Sequence, residues 1–249
     1  MTPRHRAINS VLSFVLGATL LAALCFGVMQ ALSWDWSGVW DYRQVFWNGW
    51  LHTIWISAAA LALSVLLGFL AALARRSHYP ALRWFAAGYV ELIRGTPLLV
   101  QLLILFYVVA NAIGLQDRYL SGIIILAIFS GAYIAEMIRS GIESVGRSQW
   151  DSARAIGLTP TQTYRFVVFP QVLRQTLPPL AGQFSSLIKD SSLLYIIGIP
   201  ELTFAAKQVN SATYSTFESF VPLGICYLLL TLPVSLWTKR LEKKTRYET

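Results

Sequence analysis

Long apolar stretches dominate the chain, and polar residues gather in the segments between them. A helix rises about 1.5 Å per residue, so about 20 apolar residues cross a bilayer core. Residues 11–32 and 51–74 are free of Asp, Glu, Lys and Arg and reach that length. A third stretch covers about 86–110, with Glu91 and Arg94 near its start. A fourth covers about 119–138, a fifth 177–199, interrupted by Lys189 and Asp190, and a sixth about 220–238. The pattern predicts an all-α polytopic membrane protein with six transmembrane helices. The first stretch is longer than the apolar region of a signal peptide and no small-residue cleavage site follows it, so it reads as a span.

Composition agrees with this reading. Of 249 residues, 55% are hydrophobic and 13% charged, where a soluble domain carries about 25% charged residues. So apolar a chain is not disordered. Its two cysteines, Cys25 and Cys226, fall inside apolar runs and read as small buried hydrophobes rather than as a disulfide framework. The net charge of +8 could suggest nucleic acid, but the basic residues are placed for a membrane. Fifteen of the 20 lie in alternate connections: Arg4 and Arg6; Arg75, Arg76 and Arg83; Arg139, Arg147, Arg154, Arg165 and Arg174; Lys239, Arg240, Lys243, Lys244 and Arg246. The opposite side has only Arg43, Arg118 and Lys207. Such a bias predicts that both termini are cytoplasmic. Six of the nine tryptophans lie between Trp34 and Trp55, as expected of an interfacial anchor around the first outer loop.

The longest connection, residues 139–176, carries strong helix punctuation. Ser148 with Asp151 three residues later predicts a capping box for a short helix through Ile156. Gly157 then stands where a left-handed residue ends a helix. Thr159, Pro160 and Gln162 form a second start signal, with a threonine cap, proline at the first helical position and glutamine at the third. That helix is expected to run to about Phe169, where Pro170 disrupts or kinks it.

Gln149 to Thr159 (Q-W-D-S-A-R-A-I-G-L-T), followed by V-V-F-P from Val167 to Pro170, resembles the EAA loop of ABC importer permeases. Asp151-Ser152-Ala153 stands at the Glu-Ala-Ala triplet, Gly157 at the glycine and Pro170 at the closing proline; Asp151 and Ser152 depart from the usual residues. Val90 to Gln101 (V-E-L-I-R-G-T-P-L-L-V-Q) is similar to the third-span signature of polar amino-acid permeases. Leu187 to Leu193 (L-I-K-D-S-S-L), continued by Ile197 to Leu202, is similar to their fifth-span signature. The resemblance covers about residues 48–242. It divides the chain into an N-terminal helix and interfacial loop (1–47), a permease core (48–242) with its coupling loop (139–176), and a basic tail (243–249).

The resemblance implies a division of labour among several chains. The loop would be a coupling helix docked on a separate ATPase, through Asp151, Ser152, Ala153, Ala155, Gly157 and Pro170. The partners would be two ATPase subunits, a second permease chain of the same or a related kind, and an external binding protein that delivers a polar amino acid. ATP and Mg would sit on the ATPase, with no cofactor in this chain. The chain itself would not be catalytic, and it would lie in the bacterial inner membrane. The sequence is compatible with that division, since it contains no Walker A motif and no Gly-Lys dipeptide.

Charges inside a bilayer are costly unless they are paired or line a polar cavity. Glu91 and Arg94 share a helix face and read either as an internal ion pair or as part of a gate. Gly95-Thr96-Pro97 should break or kink the third helix, and transporters use such breaks to hold polar substrates. Gln101, one turn farther, would bond a substrate or a neighbouring helix. Lys189, Asp190, Ser191 and Ser192 predict either a cavity or a charge network with Glu91, Arg94 or Glu136. Glu136 and Arg139 read as an interfacial pair. Pro222 and Pro233 are expected to kink the sixth span. The substrate path is therefore sought at Glu91, Arg94, Thr96, Gln101, Lys189, Asp190, Ser191 and Ser192. The rival reading is a secondary transporter driven by an ion gradient, for which the membrane-embedded Glu91, Lys189 and Asp190 would supply the charges.

Overall fold

The computed structural model describes residues 36–245 together with positions 17, 19, 20, 23 and 27. The first predicted span (11–32), Trp34 and Cys25 lie outside this set. The described residues are helical and contain no strand. After a short α1 (Ser37–Trp40) come α2 (Arg43–Arg75), α3 (Pro80–Arg94) and α4 (Leu98–Leu103), the last widening into a π-helical stretch, Ile104–Ala110. Then come α5 (Arg118–Glu143), α6 (Arg147–Ala155) and α7 (Pro160–Thr163) with a second π-helical stretch, Tyr164–Val168. The chain ends with α8 (Phe169–Asp190), a 3₁₀ segment (Ser191–Ile197), α9 (Leu202–Thr213) and α10 (Thr216–Thr245).

Three of these helices, α2, α5 and α10, are long and apolar enough to cross a membrane, and a bent pair makes a fourth candidate. That pair is the predicted third span. Pro80–Arg94 and Leu98–Ala110 meet at 112°, broken at Gly95-Thr96-Pro97 as the sequence led us to expect. Proline cannot continue the helical hydrogen bonding, and it pushes the residue before it out of the helical region. The span also begins earlier than residue 86, because Pro80 occupies the first turn of α3, where its missing N–H costs nothing. The predicted fifth span is altered as well. Its helix starts at Phe169, ends at Asp190 and passes into the tighter 3₁₀ segment, and it is not among the helices apolar enough to cross alone.

α2 and α5 form the central pair, and the seam between them is made of small residues. A Cβ on Gly68 would stand 2.6 Å from Ile134 Cγ2 and 2.8 Å from the Gly131 carbonyl oxygen. Removing side chains there lets the two backbones approach, as small residues do in membrane helix pairs. Around this seam Ile56, Ala60, Leu98, Leu102, Ile125, Leu126, Leu187 and Leu194 form one buried core, drawn from α2, α4, α5, α8 and the 3₁₀ segment. Gln183 Nε2 donates to Ser130 Oγ at 3.1 Å, a buried polar link between α8 and α5.

At the end of the bundle where α2 begins, Glu201 caps α9. Its carboxylate accepts from the Thr203 and Phe204 backbone N–H groups at 2.8 and 2.9 Å and from Tyr227 Oη at 2.9 Å. Nearby, Trp47 stacks on Trp50 and Trp55 on Tyr119. Trp36, Trp40, Trp47 and Trp55 are exposed, in keeping with an interfacial belt. Pro222 and Pro233 both lie inside the one helix α10. Cys226 is half-buried and free, packed beside the Val39, Phe46 and Leu202 cluster.

Two local expectations at the other end need correction. α6 starts at Arg147 with Gly146 as its cap, so Ser148 and Asp151 lie inside the helix and form no capping box. The helix expected to run to about Phe169 instead gives way to a π-helical stretch at Tyr164–Val168, and Pro170 falls in the first turn of α8, so the disruption expected of it lies just before it. The wide turn Tyr164–Val168 immediately before it accommodates the missing N–H and the ring's crowding of the carbonyl four residues back.

Candidate functional site

Four charged side chains from three helices meet at the end of the bundle where α2 and α5 finish. Glu136 on α5 accepts from Arg139 at 2.6 Å and from Arg75 at 2.9 Å, and Arg94 lies 3.6 Å away. Arg139 also reaches Glu143. One carboxylate thus ties the end of α2, the end of α3 and the last turns of α5. The sequence suggested the Glu136–Arg139 pair but not its union with Arg75, which is 61 residues away in the chain.

Arg94 is the least engaged of the three arginines on Glu136. Its contact is the longest, its side chain is 38% exposed, and its guanidinium stands 5.6 Å from the centre of the Tyr133 ring. It does not pair with Glu91, which is exposed and forms no ion pair among the described residues. Beside Arg94 opens a cavity of about 420 Å³, lined also by Tyr133, Glu136, Ser140, Ser144 and Gln175. A guanidinium with room in front of it, hydroxyls and an amide suit a small polar anion or zwitterion.

The helix break beside Arg94 is held by its own side chains. Gln101, 7% exposed, donates from Nε2 to the Ile93 carbonyl at 2.7 Å and to Thr96 O and Oγ1 at 3.0 and 2.8 Å. Thr96 Oγ1 donates to the Leu92 carbonyl at 2.9 Å. Carbonyls freed by the break therefore find donors within the segment. Gln101 thus bonds the broken end of its own span rather than a separate neighbouring helix, and its Oε1 is buried without a partner among the described residues.

Lys189 and Asp190 do not join this network. Lys189 is exposed, Asp190 is half-buried at the end of α8, and neither forms an ion pair among the described residues. Ser191 is fully buried and donates to the Ile188 carbonyl at 2.8 Å, and Ser192 is half-buried. Adjacent positions on a helix point apart, which is why a Lys-Asp dipeptide need not form a pair.

Beyond the Glu136 cluster lies the hairpin of α6 and α7. Gly157 has φ +79°. Its N–H donates to the Arg154 carbonyl at 2.9 Å, and the Leu158 N–H to the Ala153 carbonyl at 3.1 Å, the paired bonds of a Schellman turn. Thr159 and Gln162 then form the expected capping box. Asp151, Ser152, Arg154, Ala155 and Ile156 are exposed, and Ile156 is 76% so. Ala153 is not on that surface; it is buried. Pro170 is exposed in the first turn of α8, away from the Gly157 turn in sequence.

A Cβ on Gly157 would meet nothing within 4 Å, so the turn is open and the requirement for glycine comes from the backbone angle alone. A β-branched residue there costs about 1–2 kcal/mol, while asparagine tolerates the left-handed region. Gly157→Val is therefore expected to destabilise the hairpin by about 1–2 kcal/mol and Gly157→Asn to leave most of its stability. Protease cleavage within residues 147–163 of the two variants checks this, and equal cleavage rates would place the constraint elsewhere.

Residues 64–247 match the binding-protein-dependent transport system inner membrane component family. The chain belongs to that family, and with its apolar helices it is a multi-pass inner-membrane protein. It is 36% identical over 205 residues to the probable glutamine ABC transporter permease protein GlnM of Bacillus subtilis, covering 82% of this chain and 94% of that one. It is 32% identical over 217 residues to the glutamine transport system permease protein GlnP of Escherichia coli K12, covering 86% and 99%. The L-cystine transport system permease protein TcyB of Bacillus subtilis is 36% identical over 219 residues, covering 84% and 91%. Among solved structures, an amino acid ABC transporter with histidines superposes with a TM-score of 0.80 at 34% identity, covering 86% of this chain and all of that one. The MetNI methionine ABC transporter shares the fold, with a TM-score of 0.65 at 17% identity and coverage of 84% and 98%. None of these relationships supports a gradient-driven secondary transporter.

Proposed function

We propose that this chain is the permease subunit of an importer that carries a polar amino acid inward, powered by ATP hydrolysed with Mg on a separate ATPase. The observation that carries the reading is the α6–Gly157–α7 hairpin, with its exposed polar face and exposed Ile156, at the basic end of the bundle. A short helix fixed by a Schellman turn and a capping box can transmit displacement as a lever. Asp151, Ser152, Arg154, Ala155 and Ile156 form the docking face, Gly157 sets its angle and Ala153 anchors it. The excess of basic residues at this end supports a cytoplasmic placement, with both termini on that side.

Relatives named for glutamine and cystine transport support an amino-acid substrate. An α-amino acid carries a carboxylate, and Arg94 is the cation nearest the helix break with space before it. Glu136 is already engaged by three arginines, so the cavity favours the carboxylate end of the substrate. Thr96 and the exposed Lys189 and half-buried Asp190 are further polar positions on the path. Gln101 and Ser191 bond the backbone around it, Ser192 is a half-buried hydroxyl beside them in sequence, and Glu91 is exposed without an ion pair among the described residues. The core of residues 48–242 works beside a second permease chain, and an external binding protein delivers the substrate. Alternation between two arrangements with different affinity provides direction.

Purification of the tagged chain from its host membranes in mild detergent tests this reading. An ATPase should co-purify, and its hydrolysis should rise with substrate-loaded binding protein. Recovery of this chain without an ATPase, with uptake abolished by an ionophore and indifferent to ATP, would overturn it.

A further inference from the structure

The hairpin has a second attachment to the bundle, through one arginine. Its first attachment is apolar: Trp150 of α6 packs beside Val145, Val168 and Val172 and so leans on α8. The edge of Trp150 also meets the ring of Tyr164, with centroids 5.2 Å apart at 81°. Tyr164 in turn is held from α2. Arg76, the residue immediately after that helix, donates from Nη2 to Tyr164 Oη at 2.6 Å. The Arg76 guanidinium carbon lies 5.7 Å from the Tyr164 ring centre, at the hydroxyl end of the ring. These residues are 88 positions apart in the chain.

We propose that Arg76 is a positioning residue for energy coupling, strapping the α6 hairpin to the end of α2 through Tyr164. Arg75, its neighbour, is bonded to Glu136, and Glu136 faces Arg94 at the helix break. Trp150, Tyr164, Arg76, Arg75, Glu136 and Arg94 therefore form a contiguous series from the hairpin to the break, with the Arg75–Arg76 peptide as its one covalent link. Tyr164 opens the π-helical stretch Tyr164–Val168, a wide turn of the kind found frequently at functional sites. Displacement of α6 is thus divided between α8, across that wide turn, and α2, through Arg76. Lysine would retain the charge but not the planar fork that can bond the hydroxyl while lying near the ring.

The proposal rests on the importer reading, and the experiment separates the two. The complete complex is reconstituted in liposomes with its ATPase and binding protein, and uptake of a mixture of labelled L-amino acids is measured alongside ATP hydrolysis. The variants are Arg76→Ala, Arg76→Lys, Tyr164→Phe and the double variant Arg76→Ala/Tyr164→Phe. Arg76→Ala should retain the ATPase subunit and its basal hydrolysis, while substrate moved per ATP falls at least threefold. Arg76→Lys and Tyr164→Phe should fall between it and wild type, and the double variant should be no worse than Arg76→Ala, because both changes act through one contact. An unchanged transport-to-hydrolysis ratio in Arg76→Ala would overturn the strap and leave the importer reading intact. So would loss of the ATPase from that variant, which would make Arg76 an assembly residue. A wild-type complex without ATP-dependent uptake would overturn the importer reading and the strap with it.

Discussion

Glu136→Ala is expected to abolish most uptake and to loosen the end of the bundle where α2 and α5 finish. The substitution leaves Arg75, Arg94 and Arg139 without their shared acceptor, and like charges then crowd the junction of α2, α3 and α5. Arg75 is the most confined, with its side chain 18% exposed. Breaking a fully buried ion pair costs about 3–5 kcal/mol. Exposed pairs are worth about 0–1 kcal/mol, so these partly exposed groups place the loss at about 2 kcal/mol. Glu136→Gln retains the shape and two hydrogen-bonding positions and should fall between the two. Thermal inactivation of the purified protein in detergent, paired with uptake in membranes, checks the order. Wild-type values for Glu136→Ala would show that the cluster holds nothing together.

Gly68→Leu should be the most damaging substitution in the membrane interior that adds no charge. The added Cβ alone meets Ile134 Cγ2 at 2.6 Å and a backbone oxygen of Gly131 at 2.8 Å. Neither neighbour can give way without separating α2 from α5. Overpacking of this kind typically costs about 1–3 kcal/mol, and the seam lies at the centre of the bundle, so the folded yield should fall several-fold. Gly88→Leu is the matched control, because a Cβ there meets nothing within 4 Å. Recovery of monodisperse protein after detergent extraction distinguishes them. Equal recovery of the two variants would contradict the close packing of the seam.

Features set by a few consecutive residues could be read from the sequence. The turn at Gly157 and the cap formed by Thr159 and Gln162 obey short-range hydrogen-bonding rules, and the structure has both. Pro97 announced the broken helix for the same reason. The predicted cap at Ser148 failed because a glycine two residues earlier already begins the helix, and residue preference alone does not choose between adjacent starts. The start of α3 was missed because hydropathy identifies the most apolar window and passes over the amphipathic turns before it.

The candidate site was less legible. Arg94 and Glu136 were each noticed, but Arg75 reaches Glu136 across 61 residues and Arg76 reaches Tyr164 across 88. Packing of α2 against α5 and of the hairpin against the bundle decides these meetings, and no periodicity records them. The doublet Arg75-Arg76 at the end of an uncharged apolar run was the available signal. Beyond orienting the chain, arginines at a helix end beside a long basic loop are well placed to bind across it. Lys189 and Asp190 show the opposite error. Charge in an apolar stretch suggested a network, but the helix ends at Asp190 and the pair stays apart from the Glu136 cluster.

ATP-driven import is tested most directly by uptake into liposomes containing only this chain, any partner permease and the co-purified ATPase, with loaded binding protein outside. ATP is enclosed and no ion gradient is imposed. The expected result is amino-acid accumulation that requires enclosed ATP, requires the binding protein and persists with an ionophore. Accumulation without ATP that tracks an imposed proton or sodium gradient would contradict it.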